Sequence, residues 1–274
     1  MKHHPARTVS SLLLPLLPFI SNRLKFHRFA DTVGPVSPIE QIYRKLAKEV
    51  DRLQFDDPVA YVYNPLVYAK APCFEYLSRY AHAPVKYLMM GMNPGPFGMA
   101  QTGVPFGEIN AVRDWLGIIG PVRKPEFEHP KRPVDGFSCK RSEVSGARLW
   151  GWAKSRFHCA SRFFEDYYVH NYCPLLFLDA EGRNLTPDKL KKDQTRSLFE
   201  ACDQALVGTA RVLEAECIIA VGNFAEKQAI RSFATEEMRI LKIPHPSPAS
   251  PSANRGWAES VDRALGDCGI RFPS

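Results

Sequence analysis

Three short stretches hold the residue types that can do chemistry. The first is Gly91-Met92-Asn93-Pro94-Gly95-Pro96-Phe97-Gly98-Met99, continued by Ala100-Gln101-Thr102-Gly103-Val104-Pro105-Phe106-Gly107. Proline fixes the backbone and glycine admits close approach of a ligand, so such a loop can form a flat slot for a planar ring. A plain structural turn is the competing reading. The stretch matches neither G-x-G-x-x-G nor the Walker A pattern, so it gives no support to a nucleotide-phosphate cradle. The second stretch is His170-Asn171-Tyr172-Cys173-Pro174. The Asn171 amide offers an acceptor and two donors, which suits a pyrimidine edge and equally a structural bond. The third is Pro244-His245-Pro246-Ser247-Pro248-Ala249-Ser250-Pro251. Two flanking prolines restrict His245, and a held imidazole can donate a hydrogen bond to a developing oxyanion. A lone histidine more often serves the core or the surface.

These stretches need elements to position them. Four apolar runs read as buried strands: Tyr87–Met92, Tyr168–Tyr172, Cys217–Val221 and Ile240–Ile243. Helical patterns lie between them, one opened by Thr186-Pro187 and running towards Leu206. Strands alternating with helices predict an α/β fold with a parallel sheet covered on both faces. Ligands of such sheets bind beyond the carboxyl ends of the strands, where all three stretches fall. A helix is expected from Ser37, with Ser37 as cap, Pro38 in the first turn and Glu40 completing a capping box. Its apolar stripe is Ile39, Ile42, Leu46, Val50 and Leu53. Gly222, between the third strand and the next helix, is expected only to pack. Gly182-Arg183-Asn184-Leu185-Thr186-Pro187 precedes Lys189, Lys191 and Lys192, and a helix start beside cations is a ready phosphate site. The segment Val122–Ser145, rich in Pro, Lys, Arg and Gly, reads as a long surface loop.

Composition narrows the class. With 274 residues, 45% hydrophobic and 24% charged, the chain is ordinary for a globular protein. The formal charge of +7 is concentrated, because residues 120–163 hold ten Lys/Arg against four Asp/Glu. That stretch is either a solvated basic face or the footprint of a polyanion. Seven scattered cysteines form no C-x-x-C pair, which argues against a zinc ribbon, an iron–sulfur cluster or a secreted disulfide framework. Residues 1–30 contain no acid, and the Leu-rich run Ser10–Ile20 is too short to span a membrane. We expect residues 1–35 to be a disordered or targeting tail, and residues 36–274 a single domain.

Taken together, Gly91–Met99, His170–Leu175 and His245–Pro248 resemble the single-strand-selective monofunctional uracil-DNA glycosylases. Asp114-Trp115-Leu116-Gly117, Ser142-Glu143-Val144-Ser145-Gly146-Ala147-Arg148 and Gly182–Pro187 extend the resemblance in the same order, over about residues 54–262. It implies the uracil-glycosylase fold, a three-layer α/β/α sandwich around a four-stranded parallel sheet. It also implies hydrolysis of uracil and 5-substituted uracils such as 5-hydroxymethyluracil out of single- and double-stranded DNA, as the start of base excision repair. Carried over residue by residue, Asn93 would position water and His245 would stabilise the departing base. Phe106 would stack on the ring, Asn171 would read its edge, and Met92 and Gly95 would shape the floor and the space near C5. DNA would be held by Gly182, Arg183, Asn184, Thr186 and Lys189, and by Pro246, Ser247, Pro248, Ala249 and Ser250. No cofactor, metal or membrane is implied, and a monomer is expected. The implied compartment is the nucleus in a eukaryote and the cytoplasm in a bacterium, with the mitochondrion as the alternative suggested by the basic N-terminus.

The resemblance carries a mechanism and one departure. An amide is no strong base, so water at Asn93 would be positioned more than deprotonated. None of the three stretches contains a lysine, which gives no support to Schiff-base chemistry. Family members usually place an Arg wedge directly after His-Pro-Ser-Pro, where this chain has Ala249. A shorter wedge predicts a larger preference for single strands. Two other classes remain in view: a DNA-binding module without catalysis, and a small-molecule α/β enzyme using the same crevice.

Overall fold

The computed structural model describes Met1, residues 36–250 and residues 253–273. The expected tail and its targeting role therefore lie outside the described residues, as does Pro251. In chain order the elements are α1 (Pro38–Val50), β1 (Tyr61–Tyr63), α2 (Pro65–Tyr68), α3 (Lys70–Tyr80), β2 (Tyr87–Gly91) and α4 (Met99–Thr102). There follow α5 (Val144–Phe157), α6 (Ala160–Phe164), β3 (Tyr167–Asn171), β4 (Leu176–Leu178) and β5 (Asn184–Leu185). The chain continues with α7 (Lys192–Val212), β6 (Cys217–Val221), α8 (Asn223–Ser232), β7 (Arg239–Ile243) and α9 (Trp257–Asp267).

The main sheet is four-stranded and wholly parallel, in the order β3-β2-β6-β7. Its strands are the four apolar runs, each found within a residue of its expected bounds. Every residue of β3 and β6 is buried, as a parallel sheet with both faces covered requires. Only β7 is largely open to solvent, and Arg239 and Lys242 keep that edge charged. Helices α1, α7 and α8 pack with one another, as do α5, α6 and α9, giving the helical layers. Adjacent β2 and β3 align Gly91 with Asn171, so both strands end level. That register puts the first two chemical stretches side by side.

At α1, the Ser37 hydroxyl accepts from the Glu40 N–H at 3.3 Å, a cap that contributes about 1 kcal/mol. The Glu40 carboxylate turns to Arg44 one turn on. Tyr43 joins Ile39, Leu46 and Val50 in the buried stripe, while Ile42 and Leu53 pack only partly buried against it.

Two elements depart from expectation. A second, antiparallel sheet, β1-β4-β5, was not anticipated, because its strands are only two or three residues long. The helix expected from Thr186-Pro187 is interrupted. Pro187–Lys189 make a single 3-10 turn, then Leu190 is extended with ψ 158° and buried, and α7 begins at Lys192. Burying Leu190 in the core requires the chain to leave the helical path.

Candidate active site

The carboxyl ends of β2, β3 and β7 open into one cleft of about 190 Å³, lined by Met92, Asn93, Gly95, Phe106, Asn171 and His245 among others. A dry cavity of about 150 Å³ in another protein holds benzene, so this space suits one six-membered ring. Asn184, Thr186 and Ser247 also line the cleft. Gly182, Arg183, Lys189, Pro246, Pro248, Ala249 and Ser250, proposed on sequence to hold DNA, do not.

Asn93 follows β2. Its amide nitrogen donates to the Leu175 carbonyl at 3.2 Å, which ties the first chemical stretch to the second. The carbonyl oxygen of that amide takes no bond from the described residues and is left as an acceptor. Asn171 ends β3, nearly fully buried, with its nitrogen 3.2 Å from the Met99 sulfur. A Cβ on Gly91 would stand 2.5 Å from the Phe106 ring and 2.6 Å from the Asn171 oxygen. Only glycine there lets the ring and the amide converge.

Phe106 holds φ +52°, a left-handed conformation that is costly for a side chain with a Cβ. Neighbours compensate. Its carbonyl accepts from the buried Trp150 indole at 3.0 Å and from the Glu108 N–H at 2.7 Å. Hydrogen bonds of this kind contribute about 1 kcal/mol each.

His245 is held from three sides. Its Nδ1 accepts from the Ser247 N–H at 3.1 Å. The carbonyl before it, Pro244, accepts from the Trp257 indole at 2.8 Å. Beneath it, Gly222 has φ +88°, and a Cβ there would lie 3.0 Å from the His245 Cβ. The packing expected of Gly222 is thus directed at the histidine. Burial lowers the His245 pKa below its ordinary value, favouring neutral imidazole. A backbone N–H can only donate, so Nδ1 carries the lone pair and the neutral ring keeps its proton on Nε2.

In the sequence, Ser142–Arg148 stands out only through the family resemblance. The structure gives its residues distinct contacts. The Glu143 side chain lies against Gly95 and Gly98, where a Cβ would collide with its carboxylate and its Cγ respectively, and the carboxylate accepts from the Phe97 N–H at 3.3 Å. It lines the cleft, and burial raises its pKa. Ser145 lines the cleft too. Gly146 leaves room for the Phe106 carbonyl, which a Cβ would overlap. Arg148 donates to the Pro246 carbonyl at 2.8 Å and to Asn254 at 3.0 Å, and Asn254 donates to the Pro248 carbonyl at 2.8 Å. The start of α5 therefore reaches the first and third chemical stretches. The signal available was a glycine three residues after an acid and two before an arginine, which propensity alone does not interpret.

The phosphate site expected at a helix start near residues 182–189 needs correction. Lys189 belongs to the 3-10 turn, and Lys191 and Lys192 open α7 after the extended Leu190. Arg183 pairs with Asp179 at 2.6 Å and Glu181 at 3.1 Å, and Gly182 packs on the His129 ring. This stretch reaches the cleft through Asn184 and Thr186 instead. Among the described residues no His, Cys, Asp or Glu cluster is placed to hold a metal ion, and no helix is long and apolar enough to cross a membrane.

Residues 78–264 match the uracil DNA glycosylase superfamily. The chain is 48% identical over 228 residues to the single-strand selective monofunctional uracil DNA glycosylase of Mus musculus, covering 82% of each chain. It is 47% identical over 228 residues to the Bos taurus protein of that name, covering 82% of this chain and 84% of that one. Its fold is similar to the crystal structure of Pedobacter heparinus SMUG2, with a TM-score of 0.60 at 18% identity, covering 83% of this chain and 98% of that one. The chain belongs to the uracil-DNA glycosylase superfamily and, within it, to the single-strand-selective monofunctional uracil-DNA glycosylases.

Proposed function

We propose that Asn93 and His245 carry the glycosylase reaction, and that its substrates include uracils substituted at C5 with a hydroxymethyl group. The carrying observation is that one ring-sized cleft holds both a free amide oxygen at Asn93 and a histidine fixed as the Nε2–H donor. The target base is extruded or already single-stranded, because its glycosidic bond is out of reach inside a duplex. Phe106 stacks on the base, which offsets roughly 1–3 kcal/mol of the extrusion cost. The N1–C1′ bond breaks with its electron pair leaving on the base, and the sugar becomes cationic. His245 donates from Nε2 to the base oxygen where negative charge grows, and a donor so placed is worth about 3–4 kcal/mol. Water held at the Asn93 oxygen adds to C1′, and its proton leaves through solvent.

Glu143 supports the wider substrate range. One of its oxygens takes the Phe97 N–H, and the other is left to whatever fills the cleft. A 5-hydroxymethyl group can donate to it. A 5-methyl group cannot, and would bury the carboxylate unpaired, a kind of mismatch that discriminates strongly. The product, an intact strand with an abasic site, is the substrate of a strand-incising step and places the reaction at the head of base excision repair.

The test is incubation of the purified protein with single strands carrying one uracil, one 5-hydroxymethyluracil or one thymine. Alkali-labile abasic sites are expected at the first two and not the third. No abasic sites at uracil would refute the assignment of the chemistry to this cleft.

A further inference from the structure

The basic stretch between residues 120 and 163 is not explained by the cleft itself. Part of it converges on Phe97, whose backbone N–H donates to Glu143, a residue that lines the cleft. The Arg141 guanidinium lies 3.8 Å from the ring centroid and that of Arg132 lies 5.6 Å away. Among the described residues neither forms an ion pair, and nor do Lys131 and Lys140 beside them. Nearby acids are already occupied: Lys124 pairs with Glu128 at 2.9 Å and with Asp135 at 3.6 Å. Among the described residues Arg132 Nε is buried without a partner, and its Nη1 reaches only the Lys131 carbonyl, at 2.9 Å.

A guanidinium stacked on a ring uses its face. Its N–H donors lie in the plane and stay free for a bidentate oxyanion. Arg141, whose donors are free, and Arg132, which keeps Nη2 to donate, are in no ion pair among the described residues and together form an anion site whose natural ligand beside this cleft is a nucleic-acid backbone.

We propose that Arg132 and Arg141, layered on Phe97, bind a phosphodiester of the single strand flanking the extruded nucleotide. This rests on the reading of the cleft as the site of base release from DNA.

Binding of a single-stranded oligonucleotide carrying a tetrahydrofuran abasic analogue is measured between roughly 50 and 200 mM salt. For single strands, log K falls with log salt by about 0.7 per phosphate neutralised. R141Q and R132Q are each expected to flatten the slope by about that amount, and R141K to keep it. R52Q, an exposed cation at the end of α1, is expected to leave it unchanged. Because Arg132 is partly buried, the exposed Arg141 variants decide the matter if R132Q does not fold. A wild-type slope in R141Q overturns the subsite. Uracil release by wild-type protein from the matching uracil strand then shows that the cleft reading survives, whereas a wild type that neither binds nor releases uracil overturns both.

Discussion

The backbone N–H of Ser247 donates to Nδ1 of His245 at 3.1 Å, so the histidine's own loop selects its tautomer. The Nε2–H is fixed before any base arrives. Protonation would place a second hydrogen on Nδ1, facing the Ser247 donor, and burial already lowers the pKa. The expected single-turnover rate is flat from about pH 6.5 upward. A rate that falls as pH rises through that region would require imidazolium as the donor and contradict the neutral assignment.

Glu143 and Gly95 form a coupled pair. A Cβ at Gly95 would collide with the carboxylate, so Gly95→Ala should push Glu143 aside and distort the cleft wall. Overpacking of this kind costs about 1–3 kcal/mol. Glu143→Ala removes the collision. A double-mutant cycle read in single-turnover rates should show Gly95→Ala partly rescued in the Glu143→Ala background, with coupling of about 1 kcal/mol. Additive losses would mean that the two residues do not press on each other.

Below the cleft, His170 is fully buried. Its Nδ1 meets the Tyr43 hydroxyl at 2.7 Å, its Nε2 has no partner, and desolvation lowers its pKa to about 4. The depressed value means that the unfolded chain binds a proton first as pH falls. Stability is therefore unaffected above about pH 6.5 and is lost progressively down to about pH 4, by on the order of 3 kcal/mol. Urea unfolding of wild type and His170→Gln across that window checks this. The wild-type curve should fall more steeply with acid, and parallel curves would contradict it.

Ala249 is exposed, and its loop is braced from beneath by Arg148 and Asn254. The brace leaves an outward position with almost no side chain to fill an emptied duplex stack. Ala249→Arg should raise turnover on duplex DNA relative to single strands by roughly tenfold, equivalent to about 1.4 kcal/mol of the extrusion cost. Equal rates for both proteins on duplex would show that this position is no wedge.

Much of this arrangement was readable from residue types. Three of the four apolar runs became parallel strands buried almost throughout, because burial on both faces leaves a continuous hydrophobic signature, and the fourth became the half-exposed edge strand β7. Rigid Pro-Gly and His-Pro-Ser-Pro stretches marked the strand ends, where backbone shape matters more than periodicity. Other features left no local signal. Leu190 breaks the helix after Pro187 through a tertiary packing demand, not through a breaker residue. Strands β1, β4 and β5 are too short to show a pattern. Glu143, in a stretch dominated by surface charge, looks solvated until Gly95 and Gly98 are seen to make room for it. Arg132 and Arg141 likewise become distinct from the basic face only when both are found at the Phe97 ring.

The donor role of His245 is tested most directly by the His245→Leu rate of uracil release from saturating single-stranded substrate in a single turnover. Loss of one oxyanion donor predicts a fall of about 10²–10³ in that rate. Affinity for the strand should change far less. A variant that releases uracil at the wild-type rate would contradict the account at its centre.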